Sequence, residues 1–363
     1  MKVLYAYRYG IVGGVSTQLL LRQQALHDIG WLCDVFFSQD NGLKSVLNAA
    51  GNLGRIFFGA DVRFSTLLKR GGYDHVVVID TPELLAASQP RWWQAKRQVW
   101  LDVHTTTTTG LSYLGQVNLA GLAGVMVPTA YSAALVRQRL PGVNPVVMPN
   151  VIDGSVFFPV EHASDSAAAA VNSHDASRLP LREFVWVGKL DSHKNWRLAL
   201  VYARLLQDLF THIRFTLVGG YTAPAEIGQA FFSMADQLGI LYSVRWVDRI
   251  DNTLLADAYR RCAASGGAMV VTSRDESFGM AVAEALMCGC PVITNDLPVF
   301  REVFPPSPMM QRVDIWQPEQ FEQAALALVA GVSRDDVAAM YAHLTSAYGP
   351  QAFRQAFEQA VTA

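Results

Sequence analysis

The fold is decided by the stretch Ala268-Met269-Val270-Val271-Thr272-Ser273 and the run that follows Arg274, Asp275-Glu276-Ser277-Phe278-Gly279-Met280-Ala281-Val282-Ala283-Glu284-Ala285-Leu286-Met287-Cys288-Gly289-Cys290. The first run is short, apolar and partly β-branched, which is typical of a buried parallel strand. After the turn, Ala, Met, Leu and Glu favour a helix through Met287, and Gly289 is a natural C-terminal stop. Cys290-Pro291-Val292-Ile293-Thr294 then starts the next strand. The stretch therefore predicts a strand–loop–helix–strand unit of an α/β fold.

Two carboxylates occupy this unit, Glu276 in the loop and Glu284 inside the helix. In open α/β sheets, ligands bind at the carboxyl ends of the strands, and the N–H groups of a helix start favour an anion, typically phosphate. Carboxylates do not suit phosphate, so these two are expected to accept hydrogen bonds from hydroxyls of a sugar or ribose. The alternative is a plain amphipathic unit with Glu284 in solvent, but its helix neighbours at 281–282 and 285–286 are apolar.

Glu276 and Glu284, with Phe278-Gly279 between them, resemble the E-x7-E signature of retaining GT-B glycosyltransferases, most closely glycosyltransferase family 4. The resemblance implies an α/β fold of two Rossmann-like parallel-sheet domains that face each other across a cleft. It also implies that Glu276 faces the donor sugar and that Glu284 holds the ribose hydroxyls. The backbone amides implied to approach the sugar and diphosphate are those of Ser277, Phe278, Gly279 and Met280.

A second motif, Phe184-Val185-Trp186-Val187-Gly188-Lys189-Leu190-Asp191-Ser192-His193-Lys194-Asn195, is a strand that runs into a glycine turn with two lysines. Two cations at a strand's carboxyl end suit a diphosphate leaving group, whose charge grows as the glycosidic bond breaks. The motif is similar to the family's G-R-L-x-x-x-K-G, with Lys189 and Lys194 in the cationic positions. Lysine in place of arginine at 189 offers a point charge instead of a planar fork. Two solvated surface lysines are the alternative.

The glycine-rich run Gly10-Ile11-Val12-Gly13-Gly14-Val15-Ser16-Thr17 lies between the first predicted strand and an amphipathic helix that ends near His27. A dinucleotide-binding fingerprint needs G-x-G-x-x-G, and the spacing here does not match it. The run matches better the G-G loop that faces the donor phosphates across the GT-B cleft, which implies a donor-binding role for Gly14.

A histidine, His104, ends the strand Val99-Trp100-Leu101-Asp102-Val103 and precedes five threonines, Thr105 to Thr109. In the family, a histidine after this strand lies near the reacting sugar and hydrogen-bonds one of its hydroxyls. The alternative is a strand-end histidine satisfied by backbone.

Strand-like runs alternate with helix-like runs through both halves of the chain, which predicts parallel sheets with crossover helices. The predicted strands lie near 2–7, 32–37, 75–80, 98–103, 124–127, 145–148, 184–187, 213–218, 243–247, 268–272 and 291–294. The run 149–159 resembles the P-N-G-V-D-x-x-x-F-x-P segment that links the two GT-B domains. We therefore expect an acceptor-side domain at 1–150 and a nucleotide-sugar domain at 151–346. The last helix, within 347–363, is expected to pack back on the first domain, and the Ala/Ser-rich stretch 161–177 is a predicted surface insertion.

The composition is that of a packed protein, with 363 residues, 51% of them hydrophobic and 17% charged. No apolar run reaches transmembrane length, and the start of the chain predicts a first strand rather than a signal segment. Four scattered cysteines fit a reducing cytoplasm. The two cysteines at 288 and 290 have no second ligand pair for a metal, and we expect them to pack a helix end against a strand.

The charge is unevenly distributed, since residues 1–150 contain 13 Lys/Arg and 8 Asp/Glu (+5) and the rest 16 and 23 (−7). The basic half suggests an anionic partner, and its density is too low for a dedicated nucleic-acid binder. The run Arg91-Trp92-Trp93-Gln94-Ala95-Lys96-Arg97, with Arg63-Phe64 and Lys69-Arg70, is a candidate peripheral contact with the inner face of the membrane. The alternative is a helix with its tryptophans in the core and its cations in water.

The expected function is transfer of a hexose or related sugar from a nucleotide-diphosphate sugar to a hydroxyl acceptor, a glycan or a lipid-linked glycan, with retention of configuration. No D-x-D occurs, so a metal-free mechanism without a cofactor is expected, and no Ser/His/Asp or Cys/His pairing predicts a hydrolase. The expected catalytic residues are Glu276, His104 and Lys194. Two alternatives stay open: a nucleotide-sugar epimerase of the same fold, and a non-catalytic subunit that binds nucleotide or glycan.

Overall fold

The computed structural model describes residues 1–47, 55–89, 97–160, 181–329 and 331–362. The chain divides into two compact units, one of Met1–Asp153 with Ser346–Ala363 and one of Gly154–Thr345. Each unit is built around its own parallel sheet.

The first unit holds a seven-stranded sheet in the order β3-β2-β1-β4-β5-β6-β7. Every neighbouring pair in this sheet is parallel. The strands are β1 Lys2–Gly10, β2 Leu32–Asp40, β3 Ile56–Phe58, β4 His75–Ile79, β5 Gln98–Asp102, β6 Gly124–Val127 and β7 Val146–Val147. The inner strand β4 is buried along its whole length, because helices cover both faces of a parallel sheet.

The helices of the first unit connect these strands. They are α1 Gly14–His27, α2 Leu43–Leu47, α3 Asp61–Arg70, α4 Pro82–Ser88 and α5 Ala130–Arg139, with 3₁₀ turns at Gly110–Gln116 and Leu119–Gly121. The chain's last helix, Pro350–Thr362, also belongs to this unit. Its Phe353 and Phe357 are fully buried, and Phe357 lies 6.3 Å from the ring of Tyr5 on β1.

The second unit holds a six-stranded parallel sheet in the order β10-β9-β8-β11-β12-β13. Its strands are β8 Arg182–Val187, β9 Ile213–Val218, β10 Val244–Val247, β11 Met269–Val271, β12 Val292–Asn295 and β13 Met310–Val313. Its helices are α6 Trp196–Leu209, α7 Ala225–Gln237, α8 Asn252–Ala264, α9 Met280–Met287, α10 Pro298–Val303, α11 Pro318–Val329 and α12 Arg334–Tyr348, and the last helix of the chain is α13. The last residues of α12, from Ser346 onward, belong to the first unit.

The predicted fold class of two Rossmann-like parallel sheets is confirmed, and each predicted strand coincides with a strand of the structure. Two strands were not predicted. The strand β3 has only three residues, and β13 carries Gln311 and Arg312, so neither shows the apolar run that marks a buried strand.

Two other predictions concern the basic surface of the first unit and the Ala/Ser-rich stretch. Trp92-Trp93 and the stretch 161–177 lie outside the described residues. On α3, Phe64 is fully buried while Arg63, Lys69 and Arg70 are exposed. None of the described helices combines the length and apolar character that crossing a bilayer requires.

Candidate functional site

Glu276 of the second unit lies in the loop between β11 and α9, at the carboxyl end of the strand. Its Oε1 atom accepts a hydrogen bond from Ser273 Oγ at 2.7 Å and forms an ion pair with Lys194 Nζ. The Glu276 side chain is 13% exposed and the Lys194 side chain 25% exposed. The pair is thus partly withdrawn from water, and both side chains keep some exposure.

Lys194 is held in place by the loop that follows β8. Its backbone N–H donates to Asp191 Oδ1 at 2.8 Å, and its carbonyl accepts from the buried hydroxyl of Thr272 at 2.9 Å. A Cβ at Gly188 would lie 3.1 Å from the Lys194 side chain, so glycine there lets the lysine stem pass close to the strand end. Asn195 then caps α6 in the left-handed region, a conformation that asparagine tolerates.

The entrance to α9 is shaped by Gly279, which has φ +95°. A Cβ at this position would come within 2.5 Å of the Phe300 ring, so both the backbone and the packing require glycine. Phe278 is buried beside it and anchors the loop. The helix therefore begins at Met280 with the positive end of its dipole at Gly279–Met280, next to the loop that carries Ser277 and Glu276.

Glu284 lies on α9 and is 8% exposed. Its carboxyl group makes no hydrogen bond or ion pair with any described residue, and burial raises its pKa to about 8. A buried carboxyl without a protein donor is costly, so this group is suited to receive hydrogen bonds from a ligand. The alternative of a solvated Glu284 is excluded by its burial.

Lys189 lies two residues after the end of β8, and its side chain is exposed. The structure therefore brings Lys194 and Glu276 together, and places Ser277, Phe278, Gly279 and Met280 at the helix entrance that follows Glu276. It does not join Lys189 to that pair.

In the first unit, Gly14 is the first residue of α1 and is exposed. A Cβ at Gly13 or at Gly14 would meet nothing within 4 Å, and neither residue has a φ in the left-handed region. The fold of this unit therefore does not require glycine at either position, and the backbone at the start of the helix is open to close approach by a ligand.

His104 follows β5 and is 9% exposed. Its Nε2 lies 3.0 Å from Asp102 Oδ2, and Arg22 Nη1 lies 2.6 Å from the same oxygen. Burial by itself raises the pKa of Asp102, but the charges of His104 and Arg22 outweigh it and hold that pKa well below its usual range. The alternative of a histidine satisfied by backbone does not hold for this ring, because its partner is a carboxylate.

Asp80, which directly follows β4, holds the backbone of the loop that follows β5 and contains His104. Its Oδ2 accepts the N–H groups of His104 at 2.9 Å and Thr105 at 3.0 Å, and its Oδ1 accepts from Tyr113 Oη at 2.9 Å. Asp80 has φ +38°, a strained value for a residue other than glycine. Burial raises its pKa to about 6.

Sequence reasoning did not identify the residues that hold the predicted site residues: Ser273, Asp191, Thr272, Asp80, Asp102 and Arg22. One signal was present. Asp102 ends a strand of apolar residues two positions before His104, and alternation along a strand places residues i and i+2 on one side. Arg22 carried no comparable signal, because it is an arginine in an amphipathic helix.

Within the described ranges, no three His, Cys, Asp or Glu side chains are grouped so that they could hold a metal ion. Cys33, Cys262, Cys288 and Cys290 are free thiols in buried positions.

Residues 175–307 match the family model described as Glycosyl transferases group 1. A D-inositol 3-phosphate glycosyltransferase from Xylanimonas cellulosilytica is 25% identical over 147 residues, which is 40% of this chain. That match spans only 34% of the relative's own length. These matches support the predicted glycosyltransferase, and the family model covers the segment that contains Lys194, Glu276 and Glu284.

Several solved structures resemble the whole chain. The Anabaena Alr3699/HepE structure in complex with UDP and glucose has a TM-score of 0.75 at 16% identity, with 100% of this chain and 99% of that chain covered. The structure of a mutant of S. aureus TarM in complex with Fondaparinux, alpha-GlcNAc-glycerol and UDP has a TM-score of 0.77 at 10% identity, with both chains covered completely. At these identities the likeness shows the fold, which is that of the GT-B glycosyltransferases.

Proposed function

We propose that this protein is a retaining glycosyltransferase of family 4 type, which moves a hexose or related sugar from a nucleotide-diphosphate sugar to a hydroxyl acceptor. The observation that carries the proposal is the cluster of Lys194, Glu276 and Ser273 beside the start of α9. The buried Glu284 lies on α9 itself. The match of residues 175–307 to the group 1 model supports the same activity.

In this proposal, Lys194 and the start of α9 stabilise the departing diphosphate. A lysine ammonium has three N–H donors, so Lys194 is able to contact Glu276 and a phosphate oxygen together. The positive end of the helix dipole at Gly279–Met280 adds a favourable field for the phosphate charge that develops. The exposed Lys189 at the end of β8 supplies a second cation for the diphosphate.

The two glutamates bind hydroxyl groups. Glu284 accepts hydrogen bonds from the ribose, which supplies the donors that the described residues do not give it. Glu276 orients the sugar, and its position is set by Lys194 and Ser273. With retention of configuration, the acceptor hydroxyl attacks the face that the diphosphate leaves. Its proton goes to the leaving phosphate oxygen, so no enzymic nucleophile is needed.

The donor proposed is a UDP-sugar, because the structurally similar HepE and TarM structures hold UDP. We propose no metal and no cofactor, since lysine and the helix dipole supply the positive charge at the diphosphate. A glycan or lipid-linked glycan is the proposed acceptor, and contact with the inner membrane face through the basic first unit remains part of this proposal.

The test is release of nucleotide from a panel of UDP-, GDP- and ADP-sugars, with and without EDTA, for the parent protein, Glu276→Ala and the exposed control Glu226→Ala. We expect one donor to be used in EDTA, a loss of release in Glu276→Ala, and no change in the control. The anomeric configuration of the product, read by NMR, tests retention.

Conversion of the donor sugar without nucleotide release would favour an epimerase. Donor binding without turnover, even with mixed glycan and lipid acceptors present, would favour a binding subunit. Either result would overturn the proposed transfer.

A further inference from the structure

We propose that Arg22 and Asp102 are positioning residues that fix His104 as the Nε2-protonated tautomer and leave Nδ1 to accept a hydrogen bond from a substrate hydroxyl. The identity of that substrate as a sugar rests on the proposed function. The arrangement of the three side chains does not depend on it.

The Arg22–Asp102 ion pair is completely buried. Both side chains are 0% exposed, and Nη1 lies 2.6 Å from Oδ2. Removing two charges from water is expensive, and apolar residues of similar volume are often as stable or more stable at such positions. The pair is therefore poorly explained by stability alone.

Asp102 determines the tautomer of the His104 ring. Asp102 Oδ2 is also the partner of His104 Nε2, at 3.0 Å. An ionised carboxylate only accepts hydrogen bonds, so Nε2 must carry the proton in both the neutral and the charged ring. Burial by itself would favour the protonated acid of Asp102, but the charges of His104 and Arg22 lower its pKa, and Arg22 stays charged when the His104 ring is neutral. In the neutral ring, Nδ1 is then the hydrogen-bond acceptor.

Neighbouring residues also fix the position of the His104 ring. Asp80 holds the His104 backbone N–H at 2.9 Å, so the residue is held at its backbone and at its ring. Arg22 is itself held from two sides, because Nη2 lies 3.4 Å from Asn150 Oδ1 and the guanidinium lies 5.3 Å from the Phe353 ring. The charged groups around His104 are thus the carboxylates of Asp80 and Asp102 and, behind the latter, Arg22.

As a consequence, His104 selects substrates by the type of hydrogen-bonding group that they present to Nδ1. Of the two ring nitrogens, Nε2 is the one that the described residues engage. A ligand hydroxyl that donates to Nδ1 is accepted, and a ligand group that can only accept a hydrogen bond is disfavoured while the ring is neutral.

The first test measures the tautomer of His104 by long-range ¹H–¹⁵N NMR of the full chain with labelled histidines. The spectrum is recorded at a pH where the His104 ring is neutral, and the His104→Gln variant assigns the signal. We expect the Nε2–H pattern in the parent protein. An Nδ1–H pattern would overturn the inference, whether or not the protein transfers sugar.

The second test replaces the ion pair by apolar residues, Arg22→Met with Asp102→Leu, so that no charge is left buried alone. The control is Arg55→Met with Asp34→Leu, which removes the 2.7 Å ion pair between Arg55 and Asp34. Asp34 lies on β2, which β1 and β4 separate from the strand that leads to His104. We expect the first double variant to fold, to populate the Nδ1–H tautomer beside the Nε2–H tautomer, and to lose about tenfold to a hundredfold in kcat with a smaller change in KM.

A purely structural role predicts a different result. The double variant would then keep the tautomer and its kcat, like the control, and the inference would be wrong. If every donor is refused by the parent protein, the proposed function fails and the NMR result still decides the tautomer.

Discussion

Lys194 and Glu276 form an ion pair across 82 positions of sequence, and the same carboxylate oxygen accepts a hydrogen bond from Ser273. The pair joins the loop after β8 to the loop after β11, two strands that are neighbours in the sheet. The ammonium group of Lys194, which suits a diphosphate, therefore contacts the carboxylate of Glu276, which suits a sugar.

Replacing Lys194 by Met is expected to reduce kcat for nucleotide release by about 10²- to 10³-fold, because the cation at the leaving group is lost. The pair is only partly buried, so the free energy of unfolding is expected to fall by no more than about 1 kcal/mol. Donor assays and thermal denaturation measure the two effects separately. The control Arg204→Met removes an exposed ion pair on α6 and leaves activity unchanged. A Lys194→Met protein that releases nucleotide at half the parent rate or faster would contradict the assignment.

The substitution Glu284→Gln is expected to raise the free energy of unfolding at alkaline pH but not at acidic pH. The folded-state pKa of Glu284 is raised by burial to about 8, above the 4.5 of an unperturbed glutamate. Below pH 4.5 both folded and unfolded states carry the proton, so burial costs nothing extra. Between the two pKa values the unfolded chain loses its proton first, and stability falls as the pH rises.

The measurement is the difference in free energy of unfolding between Glu284→Gln and the parent protein, without ligand, at pH 4 and pH 9. We expect no difference at the lower pH and a gain on the order of a few kcal/mol at the higher one. The exposed Glu226→Gln serves as the control. A Glu284→Gln protein less stable than the parent at pH 9 would show that the carboxylate has a stabilising partner.

Sequence reasoning succeeded where one local pattern carries the information. The apolar strands, the helix through Met287 and the burial of Glu284 follow from residue type and spacing, because both faces of a parallel sheet are covered. The motif lysines and glutamates were named from spacing and resemblance. Their pairing was not, since contact between Lys194 and Glu276 depends on which strands become neighbours.

The unpredicted features depend on contacts between distant segments. Arg22 is an ordinary helix residue in sequence, and only its burial against Asp102 distinguishes it. The strained φ of Asp80 is likewise invisible in its residue type. Short strands such as Ile56–Phe58 form because a neighbouring strand offers hydrogen bonds, and three residues are too few for a periodic pattern.

Gly279→Ala is expected to lower the free energy of unfolding by about 1–3 kcal/mol, because φ +95° is strained for alanine. The added methyl group would also press on the Phe300 ring at 2.5 Å. Chemical denaturation measures the loss. A parent-like midpoint with an unchanged slope would show that the loop relaxes without cost and that glycine is not needed there.

Gly14→Ala is expected to leave stability unchanged and to weaken donor use. Gly14 starts α1, its added Cβ would meet no atom within 4 Å, and alanine is a better helix former than glycine. If a donor phosphate approaches this backbone closely, one methyl group is enough to raise the donor KM by about tenfold or more. Gly115→Ala is the matched control, since its added Cβ also meets nothing within 4 Å in the same unit. Steady-state kinetics with the donor found in the panel measures the effect on the donor KM, and melting temperatures measure the effect on stability. A Gly14→Ala protein with parent KM and parent stability would remove Gly14 from the donor site, because neither packing nor substrate would then distinguish it from Gly115.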